Sequence, residues 1–90
     1  MPVQVEIPPP LRQHTEGQDT VELEGTTVEA ILQALGAKFP ALQQRLFKGG
    51  KPSPNLNFFL NDEDIRYLDD LTTAVKAGDR LAIIPPVAGG

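Results

Sequence analysis

The chain lacks cysteine and tryptophan, and its 8 Lys and Arg residues are outnumbered by 12 Asp and Glu. Without cysteine the chain cannot form a disulfide, a thiolate zinc site, a thiol nucleophile or an iron–sulfur cluster. The formal net charge of −4 argues against nucleic-acid binding, because phosphate contacts depend on clustered Lys and Arg. These absences leave few kinds of chemistry for a chain of 90 residues.

The sequence contains no apolar run near the roughly 18 residues that a membrane-spanning helix needs. Its first six residues have neither the basic start nor the apolar stretch of a secretory signal. A chain of this length buries about 60% of the surface that its unfolded form exposes, which is enough for one modest core. We therefore expect a single cytoplasmic domain with no membrane partner.

Four segments alternate apolar and polar residues, which predicts strands that each bury one face. They are residues 3–7, 20–24, 56–60 and 80–84. A short fifth strand is predicted over residues 65–67, after a polar turn over residues 61–64. Residues 11–19 and 48–55 are rich in polar residues, Gly or Pro and are expected to form loops.

The clearest helical pattern begins at residue 28, where apolar residues recur at the spacing of one buried helical face. They are Val28, Ile31, Leu32 and Leu35. Residues 26–29, Thr-Thr-Val-Glu, fit an N-terminal capping box, and Gly36 fits a left-handed stop. A second short helix is predicted over residues 40–47 and one helical turn within residues 71–77.

Strands before and after one long helix predict an α+β fold with that helix packed on one face of a sheet. The element order is that of the β-grasp (ubiquitin-like) fold, with a mixed sheet of four to five strands. We expect residues 1–84 to form the domain and residues 85–90 to form a flexible, extended C-terminal tail.

Catalytic side chains are scarce in this sequence. His14 has no second histidine at a metal-ligand spacing, so we predict no metal site. Lys48-Gly49-Gly50-Lys51 lacks the spacing of a phosphate-binding loop. The acidic residues near the third and fourth strands predict a solvated face or a surface that steers a basic partner: Asp62, Glu63, Asp64, Asp69 and Asp70. With no acid, base and nucleophile together, we predict that the chain is not an enzyme.

The last six residues, Pro85-Pro86-Val87-Ala88-Gly89-Gly90, differ from the rest of the chain. The prolines oppose further sheet pairing, and side-chain bulk decreases toward the end. Extended, such a segment reaches up to about 20 Å. It could thread a narrow channel and deliver the Gly90 carboxylate to a partner's active site. The alternative is a frayed terminus.

Residues 78–90, Gly-Asp-Arg-Leu-Ala-Ile-Ile-Pro-Pro-Val-Ala-Gly-Gly, resemble the ending of the ubiquitin-like sulfur carriers of the MoaD/ThiS family. Within that family, residues 11–15 with 17–18, residues 60–66 and residues 87–90 are most similar to the CysO-type carriers of thiocarboxylate-dependent cysteine biosynthesis. Pro86 departs from that subgroup, because a second proline here is typical of the molybdopterin-type carriers.

The resemblance implies a cycle in which an E1-like enzyme uses ATP to adenylate the Gly90 carboxylate, which then becomes a thiocarboxylate. In the cysteine route, a PLP-dependent cysteine synthase supplies an aminoacrylate that the thiocarboxylate attacks. A zinc metalloprotease then releases cysteine and regenerates the carrier. ATP, PLP and zinc belong to these partner enzymes, and no cofactor is expected on this chain.

Three alternatives remain open at this point. The chain could be the small subunit of molybdopterin synthase, with its tail inserted into the large catalytic subunit. It could be a ubiquitin-like modifier that forms isopeptide bonds between Gly90 and target lysines. It could also be an interaction domain whose tail is inert.

Strand alternation predicts which surface meets a partner. Leu81 and Ile83 point inward in the last strand, so their neighbours should point outward. An exposed apolar patch beside a functional tail is typical of a docking site. We therefore predict a docking surface formed by Phe59, Ala82 and Ile84, with Arg66 and Arg80 placed to pair with acidic partner residues.

Overall fold

The computed structural model describes residues 2–53 and 56–85. In this part of the chain the strands are β1 (Val3–Glu6), β2 (Thr20–Leu23), β3 (Phe47–Lys48), β4 (Lys51–Pro52), β5 (Asn57–Leu60), β6 (Glu63–Asp64) and β7 (Arg80–Ile84). The helices are α1 (Val28–Lys38), α2 (Pro40–Leu46) and three 3-10 helices, Pro9–His14, Ile65–Tyr67 and Asp70–Thr72.

Five strands form a mixed sheet in the order β2-β1-β7-β5-β6. β1 and β2 form an antiparallel hairpin, whereas β1 and β7 run parallel. β5 pairs antiparallel with both β7 and β6. The predicted β-grasp arrangement is thereby confirmed. A second, two-stranded sheet of β3 and β4 was not predicted, because residues 48–55 lack an alternating pattern.

The core lies between the inner face of the sheet and the two helices. The apolar side of α1 is fully buried, as its spacing predicted: Val28, Ile31, Leu32 and Leu35. The backbone N–H of Ala30 donates to Thr27 Oγ1 at 3.1 Å, which confirms a threonine cap at the start of α1. Glu29 lies one residue before the third helical position, so the reciprocal half of the predicted capping box has the wrong register.

Gly36 does not end α1, and this prediction was wrong. The helix continues through it to Lys38, and the N–H of Phe39 closes the last turn on the carbonyl of Leu35. A Cβ at residue 36 would lie 3.1 Å from the Cβ of Gln43 on α2. The glycine therefore allows the two helices to pack closely.

Two other segments differ from prediction. Residues 11–14 belong to the 3-10 helix Pro9–His14, whose first turn suits the fixed φ of proline. Residues 65–67 form a 3-10 helix, and the return strand is β6. The reason is a tight turn at Asn61 and Asp62, with φ of 50° and 72°. This turn places Glu63 opposite Leu60, so the return strand begins earlier than the sequence suggested.

Candidate functional site

The predicted tail follows β7, the central strand of the sheet. β7 pairs with β1 on one side and β5 on the other, and the last described residue, Pro85, directly follows it. Pro86, Val87, Ala88, Gly89 and Gly90 lie outside the described residues. The described structure therefore gives the base from which the predicted tail starts.

The start of β7 is fixed by polar contacts that explain the Gly-Asp pair before it. Gly78 has a φ of 89°, a left-handed value that favours glycine. The buried Asp79 carboxylate accepts hydrogen bonds from the Lys76 backbone N–H at 2.9 Å and from Asn61 Nδ2 at 3.1 Å. Asn61 Oδ1 in turn accepts from the backbone N–H of Arg80 at 3.0 Å. This network sets where β7 begins relative to the β5–β6 turn.

The three apolar residues of the predicted docking surface share the outer face of the sheet. Along β7, Leu81 and Ile83 are buried, Ala82 is half-buried and Ile84 is 41% exposed. Phe59 lies directly opposite Ala82, and side chains at paired positions share one face. Phe59 is half-buried, so the patch that it forms with Ala82 and Ile84 is shallow and adjoins Pro85.

Arg80 lies at the opposite end of β7 from the predicted tail. Its guanidinium is 3.7 Å from Glu6 Oε2 and 3.5 Å from Asp62 Oδ2. Exposed ion pairs of this kind contribute only about 0–1 kcal/mol to stability. Arg80 thus already shares its charge with two carboxylates of its own domain.

Arg66 binds Asp64 through a fork of hydrogen bonds. Its Nη2 lies 2.7 Å from Asp64 Oδ2, and its Nε lies 3.1 Å from the same oxygen. The guanidinium covers Asp64, whose side chain is buried. Its predicted place on a solvated acidic face was therefore wrong. Hydrogen bonds from the Arg66 side chain and backbone N–H hold the pKa of Asp64 below its ordinary value. The same pairing raises the pKa of Arg66.

This pair predicts an acid-dependent loss of stability. The pKa of Asp64 is lower in the folded chain than in the unfolded chain, where it is near 4. The carboxylate therefore stabilises the fold at pH values above about 4, and this contribution is lost as the pH falls from there through the folded pKa. We expect Asp64→Asn to lower the urea midpoint at pH 7 and to lower it much less at pH 3. Asp69→Asn, at an exposed neighbouring position, is the control and should change neither midpoint. Equal destabilisation by Asp64→Asn at both pH values would contradict this role.

Two surface features could not be predicted from the sequence. Tyr67 is 80% exposed, although the strand predicted over residues 65–67 gave no reason to expect it. Arg12 lines a groove beside Pro85; in the sequence it follows a proline run and lies in a segment that carries the family resemblance, but neither signal predicted the groove. Both positions depend on 3-10 helices that strand and helix periodicity does not detect.

Neither a metal centre nor a membrane span is evident in the described ranges. Across residues 2–53 and 56–85, His, Asp and Glu form no group of three that could hold a metal ion. His14 lies half-buried in the first 3-10 helix. No helix in the same ranges is both long and apolar enough to cross a bilayer.

A mixed sheet covered by one main helix, with a central last strand that precedes a diglycine in the sequence, is typical of ubiquitin-like β-grasp proteins. The chain belongs to the ThiS family, whose model matches residues 5–90. The predicted family resemblance is therefore confirmed.

Individual relatives define the similarity further. The sulfur carrier protein CysO of Mycobacterium tuberculosis is 40% identical over 93 aligned residues, which cover all of both chains. In the crystal structure of the Amycolatopsis orientalis BexX/CysO complex, the matched chain is 42% identical with a TM-score of 0.90, covering 98% of this chain and 99% of that one. Small archaeal modifier protein 3 of Haloferax volcanii is 38% identical over 64 residues, which cover 71% of this chain and 70% of the modifier. The chain is a homologue of the sulfur carrier CysO, and these matches do not favour the alternatives.

Proposed function

We propose that this chain carries sulfur as a thiocarboxylate on Gly90 and delivers it for cysteine biosynthesis. The full-length similarity to the sulfur carrier CysO carries this proposal. The family match supports it, because the matched segment extends through residue 90. In this proposal the chain presents a carboxylate and a docking surface, and partner enzymes catalyse each step.

The chemistry requires activation first, because a carboxylate is a poor electrophile. An E1-like enzyme would transfer AMP from ATP to the Gly90 carboxylate and release pyrophosphate. A sulfide equivalent from a donor would then displace AMP and leave a thiocarboxylate. Its sulfur is a soft nucleophile at the end of a slender chain, as addition to an electrophilic substrate requires.

The cysteine route places the remaining cofactors on partners. A PLP-dependent cysteine synthase would present an aminoacrylate, and the Gly90 thiocarboxylate would add to its β-carbon. A shift of the acyl group from sulfur to nitrogen would leave cysteine amide-linked to Gly90. A zinc metalloprotease would hydrolyse that amide and restore the carboxylate. ATP, PLP and zinc thus act outside this chain.

The geometry of β7 supports the proposal that the chain presents its last residue to partner enzymes. Among the described residues, the last pair between β5 and β7 joins Asn57 and Ile84, directly before the proposed tail of residues 85–90. Phe59, Ala82 and Ile84 lie on the outer face next to this point. An enzyme that enclosed the tail would cover this apolar patch, which would fix the depth to which the tail enters.

Alkylation of the protein from its native host, followed by intact-mass and peptide analysis, tests the proposal. The chain has no cysteine, so iodoacetamide should add one group, and peptide mapping should place it on Gly90. Mapping is needed because oxidation of the single methionine adds nearly the same mass as exchange of oxygen for sulfur. The control is the same chain produced in a host without an activating enzyme, which should stay unmodified.

The same sample distinguishes the other functions. A lysine linked to Gly90 without any thiocarboxylate would support the modifier function, and an unmodified carboxylate would support an inert tail. Incubating the thiocarboxylate form with a PLP-dependent cysteine synthase and an activated serine should leave cysteine on Gly90. Transfer of sulfur only to a pterin precursor bound to the large subunit of molybdopterin synthase would contradict the cysteine route.

A further inference from the structure

A groove of about 300 Å³ runs along the side of β7 that faces β1, next to Pro85. Residues 6–9 and Arg12 form one wall, and residues 82–85 form the other. The groove exists because the β1–β7 ladder stops at the pair Glu6 and Ala82, while β7 continues to Ile84. Pro8 and Pro9 then carry the chain away from the sheet, since proline cannot donate to a ladder.

Arg12 holds a guanidinium at the rim of this groove. Its Nε donates to the carbonyl oxygen of Ile7 at 2.9 Å, which fixes the side chain. Within residues 2–53 and 56–85, the two Nη atoms make no hydrogen bond or ion pair, whereas Arg66 and Arg80 both have carboxylate partners. A guanidinium that is fixed at Nε, with its Nη donors available, is oriented to bind a carboxylate from another molecule.

We propose that this groove receives a segment of the enzyme that adenylates the tail, in which an apolar side chain stands next to an Asp or Glu that binds Arg12. This inference rests on the proposed function. The apolar residue would lie against Pro8, Pro9 and Ile84, and the carboxylate would complete the fork of Arg12. The acidic side chain on the rim, Glu6, lies within ion-pair distance of Arg80.

The position of Arg12 explains why a protein carboxylate fits better than a nucleotide phosphate. Five residues separate Pro85 from the Gly90 carboxyl group, and such a segment reaches up to about 18 Å when an enzyme holds it extended. Arg12, beside Pro85, would then stand at the mouth of the enzyme's channel, far from the reacting group. It is therefore a positioning residue that aligns the carrier, and the activating enzyme is the first enzyme that must enclose the tail.

The test measures ATP–pyrophosphate exchange by the activating enzyme from the same host, with the carrier as the varied substrate. We expect Arg12→Glu to raise KM at least about tenfold with kcat within about twofold, because it opposes a charge-assisted contact made on docking. Arg12→Lys keeps the charge without the fork and should give an intermediate KM. Arg45→Glu makes the same charge change at an exposed position on α2 outside the groove and should leave KM unchanged.

The outcomes separate the groove from the proposed function. If the wild-type chain supports no exchange, the proposed function fails whatever Arg12 does. If the wild-type chain supports exchange and Arg12→Glu matches Arg45→Glu, or loses kcat at constant KM, the groove proposal is overturned. Thermal midpoints of all variants show whether each is folded. Should Arg12→Glu not fold, Arg12→Gln replaces it, because Gln keeps a donor for Ile7 O, and it must still raise KM.

Discussion

A chain shortened by Gly90 alone should lose more than 99% of its adenylation and gain no alkylatable thiocarboxylate. The new terminal carboxylate on Gly89 would fall one residue short, about 3.3–3.6 Å when extended. A displacement of about 1 Å at a reacting centre can already cost a hundredfold in rate. ATP–pyrophosphate exchange and iodoacetamide labelling, both applied to the shortened chain, measure the two losses.

Two controls make this result specific to the tail. The buried core of the described residues ends at Ile83, so the shortened chain should unfold at the same temperature as the original. A chain extended by one alanine after Gly90 should fail in the same way, because its carboxylate is displaced in the other direction. Unchanged adenylation of either variant would contradict the role of Gly90.

In β7, shortening two aliphatic side chains three positions apart should have different effects: Leu81→Ala should lower the stability of the fold, whereas Ile84→Ala should weaken docking to a partner. Leu81 is fully buried and lies in register with Val5 and Leu60. Truncating a buried leucine removes its contacts and leaves a cavity, so Leu81→Ala should cost about 2–5 kcal/mol of unfolding free energy. That is a large share of the roughly 5–15 kcal/mol that stabilises a small domain. Urea unfolding measures this loss.

Ile84→Ala is the matched variant, because the same kind of side chain is shortened on the outer face. Ile84 is 41% exposed, so its loss should cost about 1 kcal/mol or less of stability. We expect it instead to raise the KM of the activating enzyme for the carrier by roughly fivefold or more, as loss of a docking contact does. Equal stability of the two variants, or an unchanged KM for Ile84→Ala, would contradict the assignment of faces.

The sequence predicts the fold where a single period decides which side chains are buried. Alternation in β1, β2, β5 and β7 gave the strands, and the spacing from Val28 to Leu35 gave α1, because each pattern reports one buried face. Gly36 shows the limit of this reasoning. A glycine that ends a helix and one that lets two helices approach look the same until the position of Gln43 is known.

The candidate site was predictable only in part, for the same reason. The alternation of inward and outward positions in β7 predicted that Ala82 and Ile84 lie on its outer face, which the structure confirms. Side-chain partners could not be deduced, because they depend on turns that bring distant groups together. Arg66 binds Asp64 after a tight turn, and Arg12 reaches Ile7 from a 3-10 helix. Local composition does not encode these contacts.

The parallel pairing of β1 with β7 has a mechanical consequence. The chain enters β1 at Val3 and leaves β7 at Ile84, and the register places these two points at opposite ends of one ladder. A force that pulls these two points apart would shear the whole ladder at once rather than peel its bonds one by one. A carrier joined through its last residue to another molecule should therefore resist mechanical unfolding when it is pulled between that junction and its first strand.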